Sequence, residues 1–321
     1  MPRHRSNHFQ GIFQTFWDLF QTDQTDWVTA RPQAQLKAWL ALCGATSVLL
    51  AMTLYRWQAA LFPLLGFFGV LGLTASTLGF AIGLGAGKRR AIRTAMVPLL
   101  LLAQLALFGT LYALGTHLEI KNPVAEIVIP ALPTTNGAGA WSGVLAFVCA
   151  VFLLNLMIFR PLGQSTAAFL ARVPPLAGVR AFLLGGVLGL TLFAGLGALW
   201  APPEVWFAVA LTALAVLVGA GGTSIAGVAG ASLVFIALCR LDGHGPHGTV
   251  YSAYQPMRLE AAPSGDPLSV VSAGAVRERI SDLSQEQSLR SPSAQLAALG
   301  IDLPFQLAAT PEKVLILGDG G

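Results

Sequence analysis

Five uninterrupted apolar runs, each long enough to cross a bilayer as a helix, dominate the first 200 residues of the chain. A membrane span needs about 20 apolar residues, because each helical residue advances about 1.5 Å across a hydrocarbon core of about 30 Å. The runs cover approximately 36–55, 59–84, 95–116, 140–159 and 179–200. This pattern predicts a bundle of transmembrane helices.

A sixth apolar region, 205–239, has 35 residues and no charged side chain. As one helix it would be ~52 Å long, well beyond the hydrocarbon thickness. Gly and Ser at 219–224 permit a turn, so we predict two short spans, 204–220 and 225–240. A single span followed by a re-entrant segment is the alternative. The predicted fold class is therefore all-α, a polytopic bundle of about seven transmembrane helices over residues 36–240.

The composition agrees with an integral membrane protein. Hydrophobic residues make up 55% of the chain and charged residues 11%, and the mean hydropathy is +0.67. A soluble domain carries roughly 25% charged residues, so this chain cannot cover a large surface facing water. Membrane lipid is the first partner that the sequence predicts.

The densest run of positive charge fixes the orientation. Lys88, Arg89, Arg90 and Arg93 lie in the short loop between the second and third apolar runs. Lys and Arg in short loops stay on the cytoplasmic side. With this loop inside, 11 of the 13 Lys and Arg residues before residue 240 lie on the cytoplasmic side, and these 11 include the four of the loop. We therefore predict an inner (plasma) membrane protein with a cytoplasmic N-terminus. The net charge of +4 belongs to this bias and does not indicate a nucleic-acid partner.

The N-terminal segment, residues 1–35, contains an amphipathic pattern. Aromatic residues recur at three- and four-residue spacing on one helical face, among them Phe13, Phe16 and Trp17. A helix of this kind, too short and polar to span, lies in the headgroup region with its aromatic face down. Docking on a protein partner through the same face is the alternative.

The composition changes at Leu241, where a polar tail rich in Gly, Pro and Ser begins. We predict that residues 241–321 form a flexible, largely extended tail with short helices at 275–290 and 293–299. The first of these rests on Val276, Ile280 and Leu283, which share one helical stripe.

Two strongly polar residues, Gln104 and Asn155, lie inside predicted spans. Single amides commonly hydrogen-bond between membrane helices, and such a bond contributes ~0.6–2 kcal/mol. The alternative role is contact with a substrate in a cavity. No Asp, Glu, Lys, Arg or His lies in the interior of any predicted span, which is unusual for ion-coupled or proton-coupled carriers.

Small residues are spaced for close helix packing, because they let two backbones approach. They recur at three- and four-residue intervals in the second span and again in the fifth. These packing positions are Gly72, Ser76, Gly79, Gly83, Gly87, Gly185 and Gly189. The sequence leaves open whether they pack within the protein or against another subunit.

No catalytic, cofactor-binding or metal-binding motif stands out. We therefore expect a non-enzymatic membrane subunit that packs into or assembles a larger complex with protein partners, such as a secretion, conjugation or energy-transducing apparatus. The alternative is a carrier or flippase for an uncharged or lipidic substrate, with the broken 205–239 region lining its path.

Overall fold

A computed structural model describes residues 35–62, 65, 68–86, 94, 96–113, 138–218, 222–242, 249–251, 256–260, 268–272 and 275–280. These residues form seven helices followed by four strands. The helices are α1 (Leu36–Leu61), α2 (Gly69–Ala86), α3 (Met96–Ala113), α4 (Ala138–Leu170), α5 (Pro175–Ala198), α6 (Pro203–Val218) and α7 (Gly222–Asp242). The end of α6 and the start of α7 confirm the predicted break in the sixth apolar region.

Four helices are long and apolar enough to cross a membrane, judged by length and composition. They are α1, α2, α5 and the 145–170 part of α4. The apolar parts of α3, α6 and α7 are shorter. The predicted class, a helical protein with membrane-spanning segments, agrees with this architecture.

Two helices continue past the boundaries that the sequence predicted. Helix α1 runs through Arg56 to Leu61, and α4 runs through Arg160 and Pro161 to Leu170. Helix α1 therefore includes Arg56, and α4 includes Arg160, beyond the predicted ends of these two spans. Packing explains the longer α4, because every residue from 161 to 166 is buried. Only residues 171–174 connect α4 to α5.

Helices α2 and α4 pack backbone against backbone through glycines. A Cβ added to Gly79 would meet the backbone of Leu156, and one added to Gly83 would meet the backbone carbonyl of Arg160. From the opposite helix, Gly163 lies against the carbonyl of Phe80 in the same way. The Gly79 and Gly83 positions therefore form a contact within the protein, where close approach increases dispersion between helices.

The α1–α5 pair uses the same kind of contact. Gly185 and Gly189 of α5 lie against the backbone of Ala41 and Ala45 of α1. Gly44 of α1 lies against the α5 backbone in return. Helix α1 also packs on α2, α4 and α6, so it occupies the centre of the bundle.

An aromatic cluster joins the C-terminal part of α1 to three other helices. The Trp57 ring lies 5.6 Å from Phe108 of α3, 5.3 Å from Phe207 of α6 and 5.4 Å from Phe235 of α7, measured between centroids. All four side chains are buried. Tilted and edge-on aromatic pairs at these distances contribute about 0.5–1.5 kcal/mol each beyond burial. The cluster therefore holds the short helices α6 and α7 against the long central helix.

The turn between α5 and α6 contains a tryptophan in the left-handed region. Trp200 has φ +56°. Its N–H donates to the carbonyl of Gly197 at 3.1 Å, and the N–H of Ala201 donates to Leu196 at 3.0 Å. This is a Schellman cap, in which Gly is the usual residue because a Cβ is strained there.

We expect Trp200→Gly to be more stable than Trp200→Ala by about 1 kcal/mol, since both variants remove the ring and only Gly removes the left-handed strain. Thermal unfolding of the two purified variants in the same detergent measures the difference. Equal unfolding temperatures, or a more stable Ala variant, would show that the turn relaxes out of the left-handed conformation.

A four-stranded antiparallel sheet lies in the region predicted as an extended tail. Its strands are β1 (Thr249–Tyr251), β2 (Pro256–Glu260), β3 (Leu268–Ser272) and β4 (Ala275–Ile280), in the order β1-β2-β3-β4. Aliphatic residues and Met are cross-strand Cα partners in four pairs. These pairs are Val250 with Met257, Leu259 with Val270, Leu268 with Ile280, and Val271 with Val276.

The predicted helix at 275–290 is therefore wrong for residues 275–280. Val276 and Ile280 are four residues apart, a spacing that fits one face of a helix and also one face of a strand. Pairing with β3 across five residue positions selects the strand. The remainder of that predicted helix, and the one at 293–299, lie outside the described residues.

Candidate functional site

Gln104 and Asn155, the two polar residues predicted inside spans, are in direct contact. Gln104 Nε2 donates a hydrogen bond to Asn155 Oδ1 at 3.0 Å. A third amide joins them, because Gln58 Nε2 donates to the same Asn155 oxygen at 3.2 Å, and Asn155 Nδ2 donates to Gln58 Oε1 at 3.3 Å. These three residues, from α1, α3 and α4, form the amide cluster.

The amide cluster is almost entirely shielded from solvent. The side chains of Gln58, Gln104 and Asn155 are 3%, 0% and 1% exposed. Both lone pairs of Asn155 Oδ1 are used, while Gln104 Oε1 has no hydrogen-bond partner. A Cβ on Gly72 of α2 would lie 3.5 Å from Gln58 Oε1, so α2 closes the cluster at a small residue. Four helices therefore meet at one set of neutral hydrogen bonds.

Gln58 was missed by the sequence analysis because it fell between two predicted apolar runs. The first predicted run ends at residue 55, before Arg56, and the second begins at residue 59. The signal was present, since Gln58 follows Leu54 by four residues and so continues the buried face of the first helix. A helix that ran past Arg56 would have placed it in the interior.

A small cleft of about 20 Å³ lies next to the amide cluster and is named here the lateral cleft. Its lining includes Gln58, which is 3% exposed, and Leu71, which is 37% exposed. The cleft is enclosed by the end of α1, the start of α2 and the first half of α4. Its remaining lining residues are Tyr55, Leu65, Phe68, Gly69, Gly72, Val148, Val151 and Phe152.

A second polar layer lies near the other end of α4. Ser165 donates its hydroxyl hydrogen to the carbonyl of Pro161 at 2.9 Å, so Thr94 is the donor in the 2.7 Å bond between the Thr94 and Ser165 hydroxyls. Gln164 and Thr166 are also buried, and Thr166 donates to the carbonyl of Leu162. This layer, like the amide cluster, carries no charge.

The remaining predicted residues divide into two groups. Ser76 of α2 is buried and donates to the carbonyl of Gly72 at 2.9 Å, within its own helix. Others lie outside the described residues, and the structure does not test them. These are Gly87, the basic residues Lys88, Arg89, Arg90 and Arg93, and the N-terminal Phe13, Phe16 and Trp17.

The fully buried polar side chains favour hydrogen bonding between neutral partners, although the Nε atoms of Arg56 and Arg160 are also buried. In the part of the chain that the structure describes, every buried polar side chain is Ser, Thr, Asn or Gln. The same residues contain no group of three or more His, Cys, Asp and Glu side chains placed to hold a metal ion. The arrangement suits helix association and contact with uncharged polar groups.

The fold and this site together define a helical protein whose long apolar helices are compatible with lipid contact. Comparisons of the chain with protein-family models, with curated proteins and with solved structures find no match.

Proposed function

We propose that this protein is a non-enzymatic, multi-pass subunit of the inner (plasma) membrane that packs into or assembles a larger protein complex. A secretion, conjugation or energy-transducing apparatus is the kind of assembly intended. Its partners are membrane lipid and other proteins, and nucleic acid is not among them. The observation that carries the proposal is an interior of glycine-mediated backbone contacts and neutral hydrogen bonds, an arrangement suited to a structural subunit.

The proposed topology has seven spans and a cytoplasmic N-terminus. The basic loop at 88–93 and the bias of Lys and Arg before residue 240 support this orientation. With seven spans the sheet-containing tail lies outside the cytoplasm, whereas a single span followed by a re-entrant segment, which gives six spans, would place it in the cytoplasm.

Labelling of single cysteines tests this topology. In a variant without the native cysteines, we expect Cys at Ala125 and at Gly245 to react with an impermeant maleimide in intact cells. Cys at Arg90 is expected to react only after permeabilisation, because Lys and Arg loops are retained inside. Protection at 245 with labelling at 125 would give six spans, and labelling at 90 in intact cells would reverse the orientation.

The surface for partners is proposed on α5, the least buried of the four long helices. One side of α5 contacts α1 through Gly185 and Gly189. Large aliphatic side chains on its other sides are exposed, including Leu184 at 65% and Leu188 at 66%. These two residues are one helical turn apart and so share a face.

Native gels of protein extracted from its own membranes in mild detergent test the subunit proposal. We expect wild-type protein to migrate well above its monomer mass of 33.6 kDa plus detergent. The double variant Leu184→Ala with Leu188→Ala should shift the protein toward monomer and leave its thermal stability unchanged. Exposed side chains contribute little to the fold, while trimming them removes interhelical dispersion at an interface.

The matched control is Leu145→Ala with Leu153→Ala, which trims two exposed leucines of α4. This variant should retain the complex. A wild-type protein that runs as a monomer, with no crosslinked partner, contradicts the subunit proposal. Equal losses in both double variants would place the interface elsewhere.

A second candidate function is a carrier or flippase for an uncharged or lipidic substrate. The observation that favours it is a set of buried hydroxyls on α1 without hydrogen-bond partners, namely Thr46, Ser47 and Thr53. Ser and Thr in the other helices commonly bond to their own backbone, as Thr212 does to Ala208. Unpaired groups along a central helix would suit a hydrated path in another conformation.

Reconstituted vesicles distinguish the carrier from the subunit. A carrier should accelerate either glycerol entry or the flipping of a fluorescent phosphatidylcholine, and Thr53→Val should slow that flux. The control is Thr74→Val, since Thr74 is exposed and bonds to its own helix backbone. Flux equal to that of protein-free vesicles for both probes would contradict this second candidate for these substrate classes.

A further inference from the structure

The lateral cleft offers hydrogen-bond donors at the surface of the bundle. Gln58 lines the cleft and is 3% exposed, while Leu71 in the same lining is 37% exposed. A carboxamide has two N–H donors, and the hydrogen bond from Gln58 to Asn155 uses one of them. Tyr55, also in the lining, carries a hydroxyl donor. The cleft therefore places neutral donors beside partly exposed apolar side chains of α2 and α4.

The lining determines which chemistry fits. Apart from Tyr55 and Gln58, the lining consists of apolar side chains and two glycines, with no charged residue. A charged ligand would lose its hydration there without a compensating partner. A neutral hydrogen-bond acceptor attached to an apolar chain would meet both parts of the surface.

The position of the cleft favours a ligand that enters from the bilayer. Tyr55 and Gln58 lie in the last two turns of α1, and Gly69 and Gly72 lie in the first turn of α2. Both sets are at the same end of the bundle, close to the level where a spanning helix leaves the hydrocarbon core. The ester groups of glycerolipids lie at that level. A volume of about 20 Å³ has room for a small group the size of a carbonyl or a water, and not for a headgroup.

We propose that the lateral cleft is a lipid-binding site that takes the acyl-ester group of a bilayer glycerolipid. The ester carbonyl accepts hydrogen bonds from the free N–H of Gln58 and from the Tyr55 hydroxyl. The attached acyl chain lies along Leu71, Val148 and Phe152. This site is independent of the proposed subunit function, because it does not involve the exposed leucines of α5.

Photocrosslinking of the full chain in phosphatidylcholine nanodiscs tests the site. The probe is phosphatidylcholine with a diazirine in its acyl chain close to the ester, and crosslinked peptides are identified by mass spectrometry. We expect enrichment at 68–72 and 148–152 over the region around Leu233 of α7, which is 69% exposed and reports ordinary annular lipid. Because unlabelled phosphatidylcholine competes at both places, the ratio of the two signals should stay constant as the probe is diluted.

Two variants test whether the crosslinked lipid occupies the cleft. Gly72→Leu fills the space, and Tyr55→Phe removes one donor while leaving the ring and the amide cluster in place. Tyr55→Phe should lower crosslinking at the cleft about fivefold, which corresponds to one net hydrogen bond of ordinary strength. The control variant Val187→Leu, on an exposed position of α5, should leave the cleft signal unchanged.

Tyr55→Phe decides the outcome if Gly72→Leu fails to fold. Cleft crosslinking equal to the Leu233 level in wild-type protein overturns the proposal, because lipid would then contact the cleft only as it contacts the rest of the surface. A wild-type excess that is insensitive to Tyr55→Phe also overturns the ester assignment, since no hydrogen bond would then hold the lipid.

Discussion

Replacing Gly83 with Ala is expected to destabilise the folded monomer, and replacing Gly85 with Ala is expected to stabilise it slightly. Both residues lie in the last two turns of α2. A Cβ at position 83 would overlap the backbone of Arg160 and Gly163, whereas no described residue lies within 4 Å of a Cβ at position 85. Overpacking of this kind costs about 1–3 kcal/mol. Ala in place of Gly in a helix is otherwise favourable by up to about 1 kcal/mol.

Gly83→Ala and Gly85→Ala are expected to change the stability of the monomer in opposite directions, so comparing them separates overpacking from helix propensity. Thermal unfolding of purified variants in one detergent measures both, with about 2–4 °C expected for each kcal/mol in a protein of this size. Gly79→Ala should resemble Gly83→Ala, because Gly79 lies against the backbone of Leu156. A Gly83→Ala protein as stable as wild type, but with a lost complex band, would mean that this face contacts another subunit instead of α4.

The glycine spacing illustrates what the sequence could predict and what it could not. Small residues at intervals of four predict that another helix approaches closely, and the structure has such approaches on α2 and α5. The identity of the approaching helix is not encoded locally. It depends on which of several apolar helices fits best, and α4 supplies its own Gly163 at the crossing.

Helix boundaries were the least predictable part of the bundle. Arg56 and the Arg160-Pro161 pair were reasonable ends for apolar runs, since charges and Pro interrupt spans. Both helices continue because the following residues are buried against neighbours, as Trp57 and Leu162 are. A long Arg side chain can carry its charge toward the boundary while its backbone stays helical.

The sequence predicted two of the three residues of the amide cluster. Gln104 and Asn155 were identified from their position in apolar runs, and a hydrogen bond between helices was one of the two roles considered. Their mutual contact is a tertiary fact, because α3 and α4 are separated by a long connection in the sequence. Gln58 could be identified as a member of the cluster only once α1 was known to continue to Leu61.

The sheet was missed because its strands are short and mix polar with apolar residues. Two of them alternate apolar and polar residues over only three to five positions, as in Met257-Arg258-Leu259-Glu260. Short alternating segments between Gly and Pro residues resemble loops in composition. Antiparallel pairing across four strands supplies the hydrogen bonds that no single strand indicates.

Replacing Asn155 with Leu is expected to be the most destabilising single change within the amide cluster. Asn155 takes part in all three hydrogen bonds, so the variant leaves Gln58 and Gln104 as buried amides without partners. Hydrogen bonds between membrane helices contribute about 0.6–1.7 kcal/mol each. We therefore expect a loss of about 2–5 kcal/mol, measured by thermal unfolding in detergent.

The matched control is Gln104→Leu, which removes one hydrogen bond and also the unpaired Oε1 atom. Its stability should lie within about 1 kcal/mol of wild type, because an unsatisfied buried acceptor is lost together with the bond.

The triple variant with Leu at all three positions should recover much of the stability lost in Asn155→Leu, since no buried polar group remains to be satisfied. Equal losses in the two single variants, with no recovery in the triple variant, would show that side-chain volume and not hydrogen bonding sets the stability of this layer. Recovery of the fold in the triple variant would also allow the carrier function to be tested, because a protein without these amides should keep the complex but lose any flux that depends on them.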